Sequence, residues 1–101
     1  MPMTAVTDKE GKVLKISITG RFDYSMHRDF REAYRNYSGT GIEYRVNLSG
    51  TEYMDSSALG MLLLLREHAG GDHARIVIER PSDVIRKILE IANFHQLFTI
   101  A

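Results

Sequence analysis

Cysteine is absent from the chain. Disulfides, thiol catalysis and cysteine-ligated zinc are therefore excluded, and the composition is compatible with a reducing compartment. An excess of one charge is missing too. Thirteen basic residues balance thirteen acidic ones, and no basic run supplies the electrostatic footprint of a nucleic-acid or membrane-surface binder. Long apolar runs are also lacking: the longest, Met61 to Leu65, falls far short of the roughly 20 residues needed to cross a bilayer. Residues 1–10 contain no apolar stretch like that of a secretion signal. These absences predict a cytoplasmic protein with no direct nucleic-acid partner and no membrane partner. Linkers, repeats and low-complexity segments are missing as well, so residues 1–101 are expected to form one domain, long enough to bury a core without staples.

Several catalytic signatures are missing in turn. No Gly-rich turn ends in Lys followed by Ser or Thr, so the phosphate cradle of a P-loop is excluded. The histidines, His27, His68, His73 and His95, are scattered, with no pair at helical ligand spacing. They are expected to be solvated, and no metal site or other cofactor is expected. A strand, a sharp turn and a helix bearing a serine also describe the nucleophile elbow of a hydrolase. That motif wants glycines two residues either side of the serine, whereas Met54 and Ala58 flank Ser56, and none of the histidines is identifiable as its base.

What is present is a pattern of short alternating segments. Thr4–Thr7 and Val13–Thr19 flank the turn-rich Asp8-Lys-Glu-Gly11, and Leu14, Ile16 and Ile18 alternate with Lys15, Ser17 and Thr19, which predicts a hairpin. Gly20 to Tyr24 breaks that pattern, and Ser25 is placed to cap a helix with Met26, Phe30, Ala33, Tyr34 and Tyr37 on one side and Arg28, Arg31, Glu32 and Arg35 on the other. Ser38 to Gly41 is a connector. Tyr44, Val46 and Leu48 alternate with Arg45, Asn47 and Ser49, a strand ending near Leu48. After a polar loop, a second helix runs from about Ser57 to Ala69 and stops at Gly70-Gly71, where glycine supplies a left-handed terminus. Arg75–Glu79 is a short β-branched strand. Pro81 and Ser82 open a third helix with Val84, Ile85, Ile88, Leu89, Ile91 and Ala92 on its apolar side; Asn93 to Gln96 is a turn and Leu97 to Ile100 a last strand. This order predicts an α/β domain: a mixed sheet opened by a β-hairpin, then parallel strands with crossover helices. The loops leaving the strands, Gly20 to Tyr24 and Ser49 to Ser57, then lie side by side and bring Asp23 near Asp55 and Ser56.

The turn at Asp55-Ser56-Ser57 is where chemistry concentrates. Asp and Ser cap helices because their side-chain oxygens accept the unpaired N–H groups of the first turn, and Asp23 and Asp55 are open to that reading alone. A hydroxyl at a helix N-terminus can also be phosphorylated, since the helix dipole tolerates the added anion, and a dianion facing an apolar partner costs desolvation and repulsion. In the helix that follows, Leu59, Leu62 and Leu63 are assigned to the core. Met61, Leu64 and Leu65 extend the apolar surface further, and either a deep core or a partner absorbs them.

Met54-Asp-Ser-Ser-Ala-Leu-Gly60, preceded by Val46-Asn-Leu48 and by Gly20-Arg-Phe-Asp23, resembles the STAS domain of bacterial anti-sigma factor antagonists, closest to single-domain proteobacterial members. The likeness covers essentially the whole chain. It implies a non-enzymatic module in which Ser56 is the phosphoacceptor, Asp23 and Asp55 shape the acceptor site and partner surface, and Ser57 is a neighbour in the motif. Ala58 stands where many members have Gly, which bears on partner fit. Ala58, Met61, Leu64 and Leu65 join the expected partner surface. The implied partners are an anti-sigma factor or switch kinase, bound by the unphosphorylated form, and a phosphatase of the PP2C type. The alternatives are a client outside sigma-factor control, such as an enzyme of biofilm or motility regulation, a small ligand such as a nucleotide, or an enzyme.

Overall fold

The computed structural model describes residues 2–37 and 41–101; the Ser38–Gly41 connector lies largely outside the described residues. Five strands form one sheet in the order β1 (Met3–Thr7), β2 (Val13–Phe22), β3 (Glu43–Met54), β4 (Arg75–Glu79) and β5 (Thr99–Ile100). β1 pairs antiparallel with β2, and the other pairs are parallel. Helices α1 (His27–Tyr34), α2 (Ser56–His68) and α3 (Asp83–Ile91) connect the parallel strands. The predicted mixed α/β sheet opened by a hairpin is the fold observed.

Period-two alternation places Leu14, Ile16 and Ile18 of β2, Tyr44, Val46 and Leu48 of β3, and Ile76 and Ile78 of β4 in the core. They share one apolar cluster with Phe30 and Tyr34 of α1, Ala58, Met61, Leu62 and Leu65 of α2, and Ile85 and Leu89 of α3. The intervening residues carry charge. Arg45 binds Glu43 at 2.6 Å and Glu79 at 2.9 Å, with Lys15 3.7 Å from Glu79 and Arg75 3.6 Å from Glu43. Parallel sheets are commonly apolar on both faces; this one keeps an ionic lattice on the second.

β2 and β3 both run further than their sequences suggest. Gly20 to Phe22 and Ser49 to Met54 were expected as loops, but they pair as strand, Gly20 with Thr51, Arg21 with Tyr53 and Phe22 with Met54. Two register shifts absorb extra residues of β3, and Gly20, at φ +81°, sits at one of them, in a conformation available to glycine. Thr51 is buried and its hydroxyl donates to the Ile18 carbonyl at 2.9 Å. Inter-strand pairing thus overrides the weak strand preference of Ser49-Gly-Thr-Glu52. Near the other end of the sheet, β5 is shorter than expected, and a 3₁₀ turn at Phe94–Gln96 precedes it.

The helices also depart from expectation. Ser25 does not cap α1: a 3₁₀ turn at Tyr24–Met26 intervenes, and Asp23 caps that turn. On α2, Leu63 is 40% and Leu64 54% exposed, whereas Met61 and Leu65 are buried. Val84 and Ile91 of α3 are exposed rather than core. Ser82 caps α3 as expected, its hydroxyl accepting from the Ile85 N–H at 3.2 Å.

Candidate functional site

Because β2 and β3 are parallel and in register to Phe22 and Met54, the next residues, Asp23 and Asp55, leave the sheet together. The two segments then adopt the same local structure. Asp23 and Asp55 are both extended, at φ −135° and −120°. The Asp23 Oδ1 accepts from the Ser25 N–H at 3.0 Å and from its hydroxyl at 2.5 Å. The Asp55 Oδ1 accepts from the Ser57 N–H at 3.0 Å, the Ser57 hydroxyl at 2.6 Å and the Ala58 N–H at 3.1 Å. Asp-x-Ser is thus used twice, once at the end of each strand, to turn the chain into a helical segment.

This doubling separates the two adjacent serines. The Ser57 hydroxyl is committed to Asp55, as the Ser25 hydroxyl is to Asp23. Ser56 occupies the middle position, the first residue of α2; its side chain is exposed, and nothing among the described residues hydrogen-bonds its hydroxyl. Tyr24 holds the corresponding position in the first turn, 69% exposed and stacked on His27 at 5.2 Å.

The electrostatics follow from these bonds. The Ser57 hydroxyl, with the Ala58 and Ser57 N–H groups, holds the Asp55 carboxyl below the ordinary carboxylate value of 3.8, while desolvation and, to a smaller extent, the charge of Asp23 push the other way. The Ser25 hydroxyl and N–H likewise lower Asp23, with a smaller contribution from Arg21. Both are held as anions at neutral pH. Arg21 places its Nε 3.3 Å from the Asp23 carboxylate and its guanidinium 4.0 Å from the centre of the Tyr53 ring, a cation–π contact. The exposed end of the two strands therefore carries two carboxylates, one guanidinium, two tyrosine rings and a free hydroxyl.

Of the residues singled out from sequence, Asp23, Asp55, Ser56 and Ser57 come together. Leu64 lies exposed further along α2. Ala58, Met61 and Leu65 do not belong to a partner surface: at 0%, 3% and 0% exposure they face the core, because the inward side of α2 packs against both sheet and α1. Arg21, Tyr24, Ser25 and Tyr53 also stand at this end, although the sequence assigns none of them a site role beyond Ser25 as a helix cap; the repeated Asp-x-Ser after two strands is the signal that marks the first turn. The histidines divide. His73 and His95 are exposed, but His68 is half-buried, its ring 4.8 Å from that of Tyr34 and its Nε2 against the Tyr37 carbonyl. Among the described residues no cluster of His, Asp and Glu is arranged to hold a metal ion, and no helix is long and apolar enough to cross a membrane.

Comparison with known proteins agrees with this architecture. The family model described as Mlab, STAS domain, matches residues 5–99. A STAS-domain containing protein of Pseudomonas aeruginosa (strain UCBPP-PA14) is 52% identical over 101 residues, the whole of both chains. Among solved structures, the anti-sigma factor antagonist SpoIIAA in its unphosphorylated form superposes with a TM-score of 0.78 at 16% identity, covering 98% of this chain and 87% of that one. The phosphorylated form of the Bacillus cell fate determinant SpoIIAA gives 0.67 at 16% identity, with 98% and 90% covered. A Thermotoga maritima protein gives 0.80 at 13% identity, with 97% and 84% covered. With a family model spanning nearly all of its length and a relative identical at half of its positions, the chain belongs to the STAS-domain family.

Proposed function

We propose that this domain is a non-enzymatic, cytoplasmic partner-switching protein, an anti-sigma factor antagonist whose binding is controlled by phosphorylation of Ser56. The observation that carries the reading is the division of labour between adjacent serines: the Ser57 hydroxyl is committed to donating to Asp55, the cap of α2, whereas the Ser56 hydroxyl is exposed and unengaged beside Asp23 and Asp55. A phosphate here adds about 1.5 to 2 negative charges and three acceptor oxygens. The N-terminus of α2 tolerates the anion, and solvent screens its repulsion from the two carboxylates, so the fold survives modification. A partner docked over the site has no such relief, because it must desolvate the dianion. The unphosphorylated form accordingly binds an anti-sigma factor or switch kinase and frees its client; phosphorylation releases it, and a PP2C-type phosphatase restores binding. Similarity to SpoIIAA structures in both phosphorylation states supports the reading at the level of fold.

The test is intact-mass analysis with site mapping of protein isolated from its own cells, in kinase-active, phosphatase-deficient backgrounds, alongside Ser56→Ala. A single phosphate at Ser56, lost in the variant, is the expected result. Ser56→Ala should retain the captured partner and Ser56→Glu should weaken it, less completely than phosphate because one carboxylate carries less charge. Unmodified protein in all backgrounds, or equal partner affinity of Ser56→Glu and the parent, overturns the proposal.

A further inference from the structure

The groove between α1 and α2 has the opposite electrostatic character from the Ser56 end. It encloses about 490 Å³ and is lined by His27, Arg31, Tyr34, Arg35, Leu64 and His68, with no carboxylate among them. Arg35 is held by Glu32 at 3.0 Å, both side chains being more than half exposed. Arg31 is exposed and makes no ion pair among the described residues, yet its charge reaches the Tyr34 phenol, where it works against the upward push of burial. The floor is a cluster of rings: Tyr34 packs edge-on to Phe30 at 5.6 Å and against His68 at 4.8 Å. Leu64, with Leu63 beside it, supplies an apolar rim.

This groove is continuous with the Ser56 surface. Ser56, Gly60, Leu63 and Leu64 follow one another along one side of α2 at helical spacing, Leu64 lying about 12 Å from Ser56 along the axis. His27, which lines the groove, stacks on Tyr24 in the Asp23 turn. One surface therefore runs from an end with two carboxylates and the Arg21 guanidinium to a groove with Arg31, unpaired among the described residues, and the Glu32-paired Arg35, and a charge gradient of this kind fixes the orientation of a docked partner.

We propose that the α1/α2 groove binds an acidic, amphipathic segment of a protein partner, seating an apolar side chain on Leu64 and Tyr34 and carboxylates on Arg31 and Arg35. That the occupant is a protein rests on the partner-switching reading; its acidic, amphipathic chemistry follows from the lining. Two exposed leucines beside a cationic trough offer more apolar surface than a small anion covers.

The test uses the full-length, isotope-labelled protein and two synthetic amphipathic helical peptides with leucines at i, i+4 spacing, one flanked by glutamates and the other by lysines. The glutamate peptide should shift the resonances of Arg31, Arg35, Leu64 and His68, with affinity falling as salt is added. Arg31→Glu with Arg35→Glu should weaken it at least tenfold, and Arg31→Gln with Arg35→Gln to an intermediate degree, both variants keeping the parent's circular dichroism. Equal binding of the lysine peptide, shifts that map elsewhere, no binding, or indifference to charge reversal overturns the inference. Those outcomes leave phosphorylation of Ser56 untouched, since mass mapping tests it separately, and an unmodified Ser56 would leave the peptide result standing.

Discussion

Gly60 sits inside α2, where glycine is a poor residue, and nothing in the fold requires it. An ideal Cβ built there meets no atom within 4 Å, and the backbone is not left-handed. Gly60→Ala should therefore stabilise the domain by about 1 kcal/mol, the helix-propensity difference, which arises largely from the lower entropy of the unfolded chain. No clash subtracts from that gain. For a domain of this size the melting temperature should rise by roughly 4–8 °C, and the urea midpoint by roughly 0.3–1 M at an unchanged slope. Gly50→Ala is the internal control. There the new Cβ would lie 2.6 Å from Cγ2 and 3.3 Å from Cβ of Thr19, a stiff β-branched neighbour, so the substitution should cost about 1–3 kcal/mol. Urea and thermal denaturation of the three proteins, followed by circular dichroism, decide the matter. A Gly60→Ala midpoint equal to or below that of the parent, with the slope intact, refutes the argument that the α2 surface is open at this point. Gly60 also stands between Ser56 and Leu64 on the proposed docking side, so the same methyl should weaken partner capture while the fold gains stability.

Two further outcomes follow from burial and from capping. Leu65→Ala should cost about 2–5 kcal/mol because Leu65 is fully buried, whereas Leu64→Ala should change stability by no more than about 0.5 kcal/mol; equal urea midpoints for the two would contradict the orientation of α2. Asp55 and Asp23 titrate below 3.8 in the folded protein, so between the folded and unfolded values the unfolded chain binds more protons. Their contribution to stability is therefore fully present above the ordinary carboxylate range and is lost as pH falls through the depressed values. Ser57→Ala removes the largest cause at Asp55, so a carboxyl-carbon NMR titration should find Asp55 moved upward and Asp23 little changed; an unmoved Asp55 would show that the hydroxyl bond is not what lowers it.

Local chemistry made the elements and the heart of the site legible in the sequence. Period-two alternation marks β2, β3 and β4 because one face of the sheet is apolar and the other charged, and Arg75–Glu79 is found at its observed limits. Gly70 ends one helical segment and Ser82 begins another for reasons contained in the lack of a side chain or in the side chain itself. Asp55-Ser-Ser57 is a local motif, so its place at a helix N-terminus is written in a few residues. The tertiary structure alone decided where β2 and β3 stop, since the pairing of Thr19–Phe22 with Gly50–Met54 depends on a neighbour more than thirty residues away. It alone decided which leucines of α2 are core. That helix is apolar nearly all round, so periodicity cannot orient it, and only its packing between the sheet and α1 buries Met61, Leu62 and Leu65 while exposing Leu63 and Leu64. The separation of Ser56 from Ser57 is likewise a matter of three dimensions: identical side chains differ in role because one hydroxyl points back to Asp55 and the other is left to solvent.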